Sequence, residues 1–461
     1  MPANAVAAVL TITTTDTTGA GFVSAWPSGT ARPTTSVLNY NSAGATVANT
    51  TIVQLGGGAV DIFVMGGAKI IVDVAGAFVP ATGAVSSGRF VALGSASRVL
   101  DTRTSGTPVA AQSTTRIVRP PSVPADAVAI AANITVDVAR DTGFWTAWPA
   151  GAARPNSSML NIERSGQTRS AMTIVPVTAS GFDVFSLGGG HLIVDVVGYF
   201  TGSGAASSED GLFVPMSPVR RLDTREAAPL GRSAPLVATE TIEFSSPVSG
   251  ASALVYNLTT TNASGAGFVT AYPAGNNRPG TSNVNAPQSN YIVANLAITT
   301  VSTRGVALYS LNGEHLIADI SGYFTGTPVA APLPSPTPPP PPPPPAGSCV
   351  AGDINRLNQV RAAAGSAPVV QDPVALEFAC NWTQQMINTG RFVHSNASPP
   401  GSCSSGENIA YGSVGIDLFT LWVNSPGHYA NMIRKGYTHA AYAYITSNGL
   451  TWATMVLRTP C

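Results

Sequence analysis

Apolar and polar positions come in short bursts through the first 326 residues and then change period. Val128–Val138 reads V-A-I-A-A-N-I-T-V-D-V, and Phe144–Trp148, Met172–Val177, Phe182–Leu187 and His191–Phe200 follow it, each bounded by Gly, Pro, Asn or Ser. Short β-prone runs between turn residues predict strands. Two more, near Phe90–Leu100 and Thr115–Val118, bring the count to about eight, enough for a two-sheet sandwich. No part of this region sustains a helical period.

The same pattern is written three times. Gly21-Phe22-Val23-Ser24-Ala25-Trp26-Pro27 returns 122 residues later from Gly143 and 124 residues after that from Gly267. Each copy continues to an Arg-Pro pair (Arg32-Pro33, Arg154-Pro155, Arg278-Pro279) and closes on an aspartate in an apolar run, Asp73, Asp195 or Asp319. A period this long marks whole domains rather than solenoid turns. The sequence predicts three all-β, sandwich-like repeats over 1–80, 88–202 and 211–326.

Two readings fit the residues shared by the copies. In the structural one, Asp101 and Arg103 of the Leu-Asp-Thr-Arg box pair locally, Gly-x-x-Arg-Pro makes a turn and the aromatics fill a core. In the ligand-binding one, Trp26, Trp148 and Tyr272 are stacking platforms for sugar rings. Likeness between tandem copies follows from a shared fold whatever the ligand, which favours the first. His191 and His315 correspond to Lys69, which argues against a metal there. Pro2–Ala7 aligns with Pro124–Ala129, so Met1 falls on the position of Val123. We therefore expect upstream sequence holding a Leu-Asp-Thr-Arg box and a signal peptide.

Residues 327–348 are proline-rich and include Pro338 to Pro345 without interruption. Such a segment predicts an extended polyproline II linker. Beyond it the period becomes helical. Ile354, Leu357, Val360 and Ala364 mark one helix. Asp372-Pro373 caps a second, with Ala375, Ala379, Trp382 and Met386 on one face and Gly390 as its stop. A third is expected near Ile416–Val423, and a hairpin turns on Asn448-Gly449. Helices followed by an antiparallel pair predict an α+β domain over 349–461.

Charge narrows the partners. Lys plus Arg and Asp plus Glu each total 23, and only 10% of residues are charged. No basic surplus exists to neutralise phosphates, so nucleic acid is excluded as a partner. No apolar run is long enough for a transmembrane helix. All four cysteines, Cys349, Cys380, Cys403 and Cys461, lie in the C-terminal domain. An even count confined to one small segment predicts two disulfides made in an oxidising compartment, hence an extracellular protein. Of the three connectivities, Cys349–Cys461 with Cys380–Cys403 ties the domain termini together and is the expected one.

The C-terminal domain resembles the CAP superfamily (cysteine-rich secretory, antigen 5 and pathogenesis-related proteins) in its bacterial SCP form. The resemblance rests on Leu357-Asn358 with Arg361, Phe392-x-His394-Ser395, Gly406-Glu407-Asn408-Ile409-Ala410, and Trp422-x-x-Ser425-Pro426-Gly427-His428. It implies an α-β-α sandwich whose cavity carries two histidines and two glutamates able to hold zinc or another divalent cation. His394, Glu407 and His428 fall on three of those positions. At the fourth this chain has Val423-Asn424-Ser425, and the nearest acid, Asp417, is out of step. The repeats in turn resemble those of actinobacterial secreted and cell-wall-associated proteins. Together these readings suggest a secreted, envelope-associated binding protein for a cell-wall glycan, lipid or protein, rather than an enzyme. The alternative is a secreted metal-dependent hydrolase, peptidase-like, targeted by the repeats.

Overall fold

The structure, a computed structural model, describes residues 1–227, 232–331 and 348–461. The proline run Pro338–Pro345, and with it residues 332–347 of the linker expected over 327–348, lies outside the described residues. The chain forms two compact units, Met1–Pro334 and Ser335–Cys461.

In the first unit every repeat keeps its own pair of antiparallel sheets. Repeat 1 has β1 (Ala7–Thr15), β2 (Gly21–Pro27), β3 (Leu38–Tyr40), β4 (Val47–Gln54), β5 (Val60–Met65) and β6 (Lys69–Phe78). Repeat 2 has β7 (Phe90–Asp101), β8 (Ser113–Ile117), β9 (Ala129–Asp137), β10 (Gly143–Pro149), β11 (Leu160–Ile162), β12 (Arg169–Pro176), β13 (Phe182–Ser186) and β14 (His191–Phe200). Repeat 3 has β15 (Phe213–Asp223), β16 (Thr241–Phe244), β17 (Ala251–Thr261), β18 (Gly267–Pro273), β19 (Val284–Ala286), β20 (Val293–Thr300), β21 (Val306–Ser310) and β22 (His315–Thr325). The sheets of repeat 2 run β12-β9-β14-β7 and β11-β10-β13-β8, and those of repeat 3 run β20-β17-β22-β15 and β19-β18-β21-β16. Among the described residues, repeat 1 has β4-β1-β6 and β3-β2-β5. Residues after β22 do not leave repeat 3 at once, because Val329 N–H donates to Val301 and its carbonyl accepts from Thr303.

The repeats associate around a pseudo-threefold axis. Equivalent strands β4, β12 and β20 touch pairwise, and β3, β11 and β19 each lie on a neighbouring repeat's strand. The last phenylalanine of each copy meets on the axis: Phe78, Phe200 and Phe324 have ring centroids 6.0, 6.0 and 5.9 Å apart. Between repeats 1 and 3, Asn49 donates to Asn257 at 3.1 Å, and between repeats 3 and 2, Asn295 donates to Asn133 at 2.9 Å. The third interface has Thr11 and Ala171 at these places. One face of each inner sheet thus fills its own sandwich and the other packs on the axis. Strands buried on both faces need Val, Ala, Thr and Asn rather than charge, which explains the low charged fraction.

The second unit is an α-β-α sandwich. It contains β23 (Cys349–Ala351), α1 (Ile354–Ala363), β24 (Val370–Gln371), α2 (Pro373–Thr389), β25 (Ser402–Ser413), α3 (Leu418–Val423), α4 (Pro426–Ile433), β26 (His439–Ser447) and β27 (Leu450–Pro460). The sheet runs β23-β26-β27-β25, with the short β24 parallel to β26. Alternation along β26 divides the core. Ala441 and Ala443 meet Ala375 and Ala379 of α2, small residues that let the helix approach closely. Ala440 and Tyr442 face the other layer with Leu357, Phe419, Trp422 and Met432. The β26–β27 turn is the expected one, with Asn448 at φ 50° and Gly449 at φ 76°.

Both disulfides form, but with different pairing. Cys349 joins Cys380, fixing β23 to α2, and Cys403 joins Cys461, fixing the start of β25 to the end of the chain. Strand order explains the correction. Cys349 lies on the edge strand β23 while Cys461 follows β27, two strands away, roughly 9–10 Å in a sheet. A disulfide spans Cα atoms about 4.4–6.8 Å apart.

Candidate functional site

In the CAP-like unit most motif residues have structural roles. Arg361, 1% exposed, donates to the carbonyls of Ala367, Met432, Arg434 and Tyr437, tying α1 to the end of α4. Asn358 exchanges two bonds with Val369, at 2.9 and 2.8 Å. A side chain at Gly406 would run into Asn431 and Tyr437. Asn408, buried, donates to the His428 carbonyl at 3.0 Å and accepts from Asn431 at 2.9 Å, so α4 is moored to β25.

Gly390, at φ 64°, ends α2 in the left-handed region and releases the segment that carries His394. Trp382 of α2 holds that segment by donating to the Val393 carbonyl at 3.1 Å. His394 Nδ1 then lies 2.7 Å from Glu407 Oε1 on β25, and the Ser395 N–H donates to the same oxygen at 2.9 Å. Glu407 Oε2 is buried without a hydrogen-bond partner among the described residues. His428 sits in the first turn of α4, a helix the sequence reading had not placed, although Ser425-Pro426 is a cap with proline at the first helical position. Burial, then repulsion from His394, lowers the His428 pKa, which keeps this ring neutral near pH 7.

The three side chains named from the sequence therefore lie in one region, but not as a finished cage: among the described residues no group of three or more His, Cys, Asp or Glu is gathered for a metal. Asp417 cannot supply the fourth ligand. It caps α3 and pairs with Arg356 at 2.7 Å, and that arginine holds its carboxyl well below the usual range. Sequence reasoning missed an aromatic ledge two residues before His394. Phe392 and Tyr411 have ring centroids 4.8 Å apart, and Tyr411 stacks on Trp452 at 4.8 Å. Phe392 and Tyr411 are exposed. Tyr411 on β25 lies opposite Trp452 on β27, and Phe392 joins them from the segment after α2.

Residues 354–456 match the CAP family, the cysteine-rich secretory protein family. The C-terminal region is a CAP domain. The match does not extend to the repeats, and no curated protein matches the chain. Five solved chains do. One is described as the triple jelly-roll fold and turret assembly in an archaeal virus, at 9% identity over 71% of this chain and 81% of that one, TM-score 0.14. Another belongs to Sulfolobus Turreted Icosahedral Virus, at 9% identity over 71% and 82%, TM-score 0.14. Such TM-scores carry no statement about fold or function.

In the repeats several of the shared residues make contacts within their own copy. Arg32, Arg154 and Arg278 lie over Phe63, Phe185 and Tyr309, at 3.8, 3.8 and 3.9 Å from the ring centroids. Trp26 and Trp148 donate within their own loops, to Thr30 at 3.0 Å and Ala152 at 2.9 Å. Trp148 and Tyr272 are 6% and 8% exposed. Both rings are thus largely covered by their own repeat, whereas Trp26 is half-buried.

Proposed function

We propose that the chain is an extracellular binding protein, a three-repeat β scaffold carrying a CAP domain that takes its ligand at the His394–Glu407–His428 region and the adjoining aromatic ledge. The observation behind this reading is Glu407, whose Oε1 accepts from the Ser395 N–H and pairs with His394, while its Oε2 is buried and unpartnered. A buried anionic oxygen with no donor is costly unless something supplies one. The exposed rings of Phe392, two residues before His394, and Tyr411, four residues beyond Glu407 on β25, suit the apolar body of a lipid or the ring face of a glycan. Two disulfides fit an oxidising compartment, and among the described residues no helix is long and apolar enough to cross a membrane.

Neutral imidazoles and a carboxylate are zinc-type donors, so His394, Glu407 and His428 would hold a divalent cation. It would supply a positive anchor for a polar headgroup. Because the three are not gathered in advance, the affinity is modest. This reading spends Glu407 on the cation and assigns no residue to activate water, so hydrolysis is not part of it.

The test uses the full chain. Zinc titrated calorimetrically should bind saturably to the parent and not to the folded His428→Ala variant. Cosedimentation with phospholipid vesicles or cell-wall fragments should fall in the double variant Tyr411→Ser, Trp452→Ser. Retention unchanged by the ring substitutions, or zinc binding unchanged by His428→Ala, overturns the corresponding half of the proposal.

A further inference from the structure

Among the described residues, the sheet edge of repeat 1 formed by β6 is paired on one side only. In repeat 2, β14 is covered by β7, with Phe200 opposite Phe90, Asp195 opposite Arg98 and Val194 opposite Leu100. In repeat 3, β22 is covered by β15, with Phe324 opposite Phe213, Asp319 opposite Arg220 and Ala318 opposite Leu222. The equivalent strand β6 pairs with β1 on one side and, among the described residues, with nothing on the other.

Four features of β6 fit a missing partner. Ile71, Val72 and Val74 are 49%, 40% and 55% exposed, whereas Ile193 is 4% and Val194 and Val196 are 0% exposed. Asp73 has no ion-pair partner among the described residues. Its counterpart Asp195 receives two bonds from Arg98, at 2.8 and 3.1 Å, and Asp319 two from Arg220, at 2.9 and 3.1 Å. Gly76 lacks the aromatic neighbour of its counterparts among the described residues. A side chain at Gly198 or Gly322 would strike Phe90 or Phe213, but one at Gly76 meets only Val9, at 3.8 Å. On the axis, Phe90 packs 5.3 Å from Phe200 and 4.4 Å from Phe324, and Phe213 packs 5.3 Å from Phe324 and 4.4 Å from Phe78. The pseudo-threefold leaves a third such place, between Phe78 and Phe200.

The edge also opens on a crease lined by Thr13, Ile71, Asp73, Arg154, Asn156 and Ser158. At the equivalent junction Arg220, while holding Asp319, also donates to the Thr34 carbonyl of repeat 1 at 3.2 Å. Asn156 follows Arg154-Pro155 as Thr34 follows Arg32-Pro33. An arginine opposite Asp73 would have the same second acceptor.

We propose that β6 is a docking site for one further antiparallel strand of the β7/β15 type: an extended segment with phenylalanine at its start and Arg-x-Leu-Asp-Thr-Arg at its end. Its phenylalanine lies over Gly76 opposite Phe78, its box arginine on Asp73 and its leucine opposite Val72. Main-chain bonding to the edge supplies affinity, and the arginine and the two apolar side chains fix register.

A labelled synthetic peptide with the sequence of residues 89–103 tests this on the full chain by fluorescence anisotropy. One peptide should bind per chain and raise the melting temperature of the β unit. Arg98→Ala in the peptide, or Asp73→Ala in the chain, should weaken binding about tenfold or more, as expected for a bidentate arginine–carboxylate pair. Gly76→Leu fills the phenylalanine place without touching another side chain closely and should abolish binding while circular dichroism stays unchanged. Three results overturn the proposal: no binding at about 1 mM peptide, binding indifferent to both Asp73→Ala and Gly76→Leu, or a dimer of the chain through β6 that excess peptide leaves intact.

Discussion

His394 Nδ1 lies 2.7 Å from Glu407 Oε1, so one imidazole of the CAP domain is oriented by the carboxylate that would share a cation with it. Glu407→Gln keeps an oxygen for the Ser395 N–H and removes the charge. The variant should stay folded and lose about tenfold or more in zinc affinity, read by calorimetry on the full chain.

The disulfides should stabilise the CAP domain alone, because the repeats contain no cysteine. Each bridge closes a substantial loop, with 31 residues separating Cys349 from Cys380 and 58 separating Cys403 from Cys461. Each is expected to contribute about 2–4 kcal/mol. Reduction should lower the CAP transition and leave the β-unit transition in place by calorimetry. Non-reducing peptide mapping should recover 349–380 and 403–461; a 349–461 peptide would refute the pairing.

Local chemistry made much of this legible in advance. The period of the strands, the Asp372-Pro373 cap, the Gly390 stop and the Asn448-Gly449 turn each act over a few residues, and each stands where the pattern put it. The Leu-Asp-Thr-Arg pairing was also local: Arg103 reaches Asp101 at 2.7 Å and Arg225 reaches Asp223 at 2.7 Å. What stayed hidden is set by positions far apart in sequence. Nothing near Phe78 announces Phe200 and Phe324, and Asn257 finds Asn49 across 208 residues. The disulfide pairing failed for the same reason, since it follows the order of strands in the sheet. At the candidate site the motif named His394, Glu407 and His428, while the Tyr411–Trp452 stack depends on the register between β25 and β27.

Glu314 is buried, with neither carboxylate oxygen hydrogen-bonded within the usual geometry. Burial raises its pKa above the ordinary 4.5, against a smaller lowering from Ser310. The folded state therefore holds this proton more tightly than the unfolded one, and stability falls as pH rises from 4.5 through the folded value. Glu314→Gln should raise the stability of the β unit by about 1–2 kcal/mol at pH 7 and change little at pH 4. Denaturant unfolding at the two pH values checks it; an equal effect at both would refute the titration.

The box arginines should be worth far more in repeat 3 than their partner is in repeat 1. Arg220 binds Asp319 at 2.9 Å and Asp223 at 3.1 Å, and the two carboxylates are 3% and 1% exposed. Burial pushes the Asp319 carboxyl up even beside Arg220, while Arg225 and Arg220 hold Asp223 below the ordinary range against its burial. Arg220→Met keeps the apolar stem and strips the charge, leaving Asp319 buried without its cation, at a cost of about 3–5 kcal/mol. Asp73→Asn alters a carboxylate that has no such partner among the described residues and should change stability by less than about 0.5 kcal/mol. Chemical unfolding of both variants, followed at the β-unit transition, measures the contrast. Equal costs would mean that Asp73 is already paired in solution.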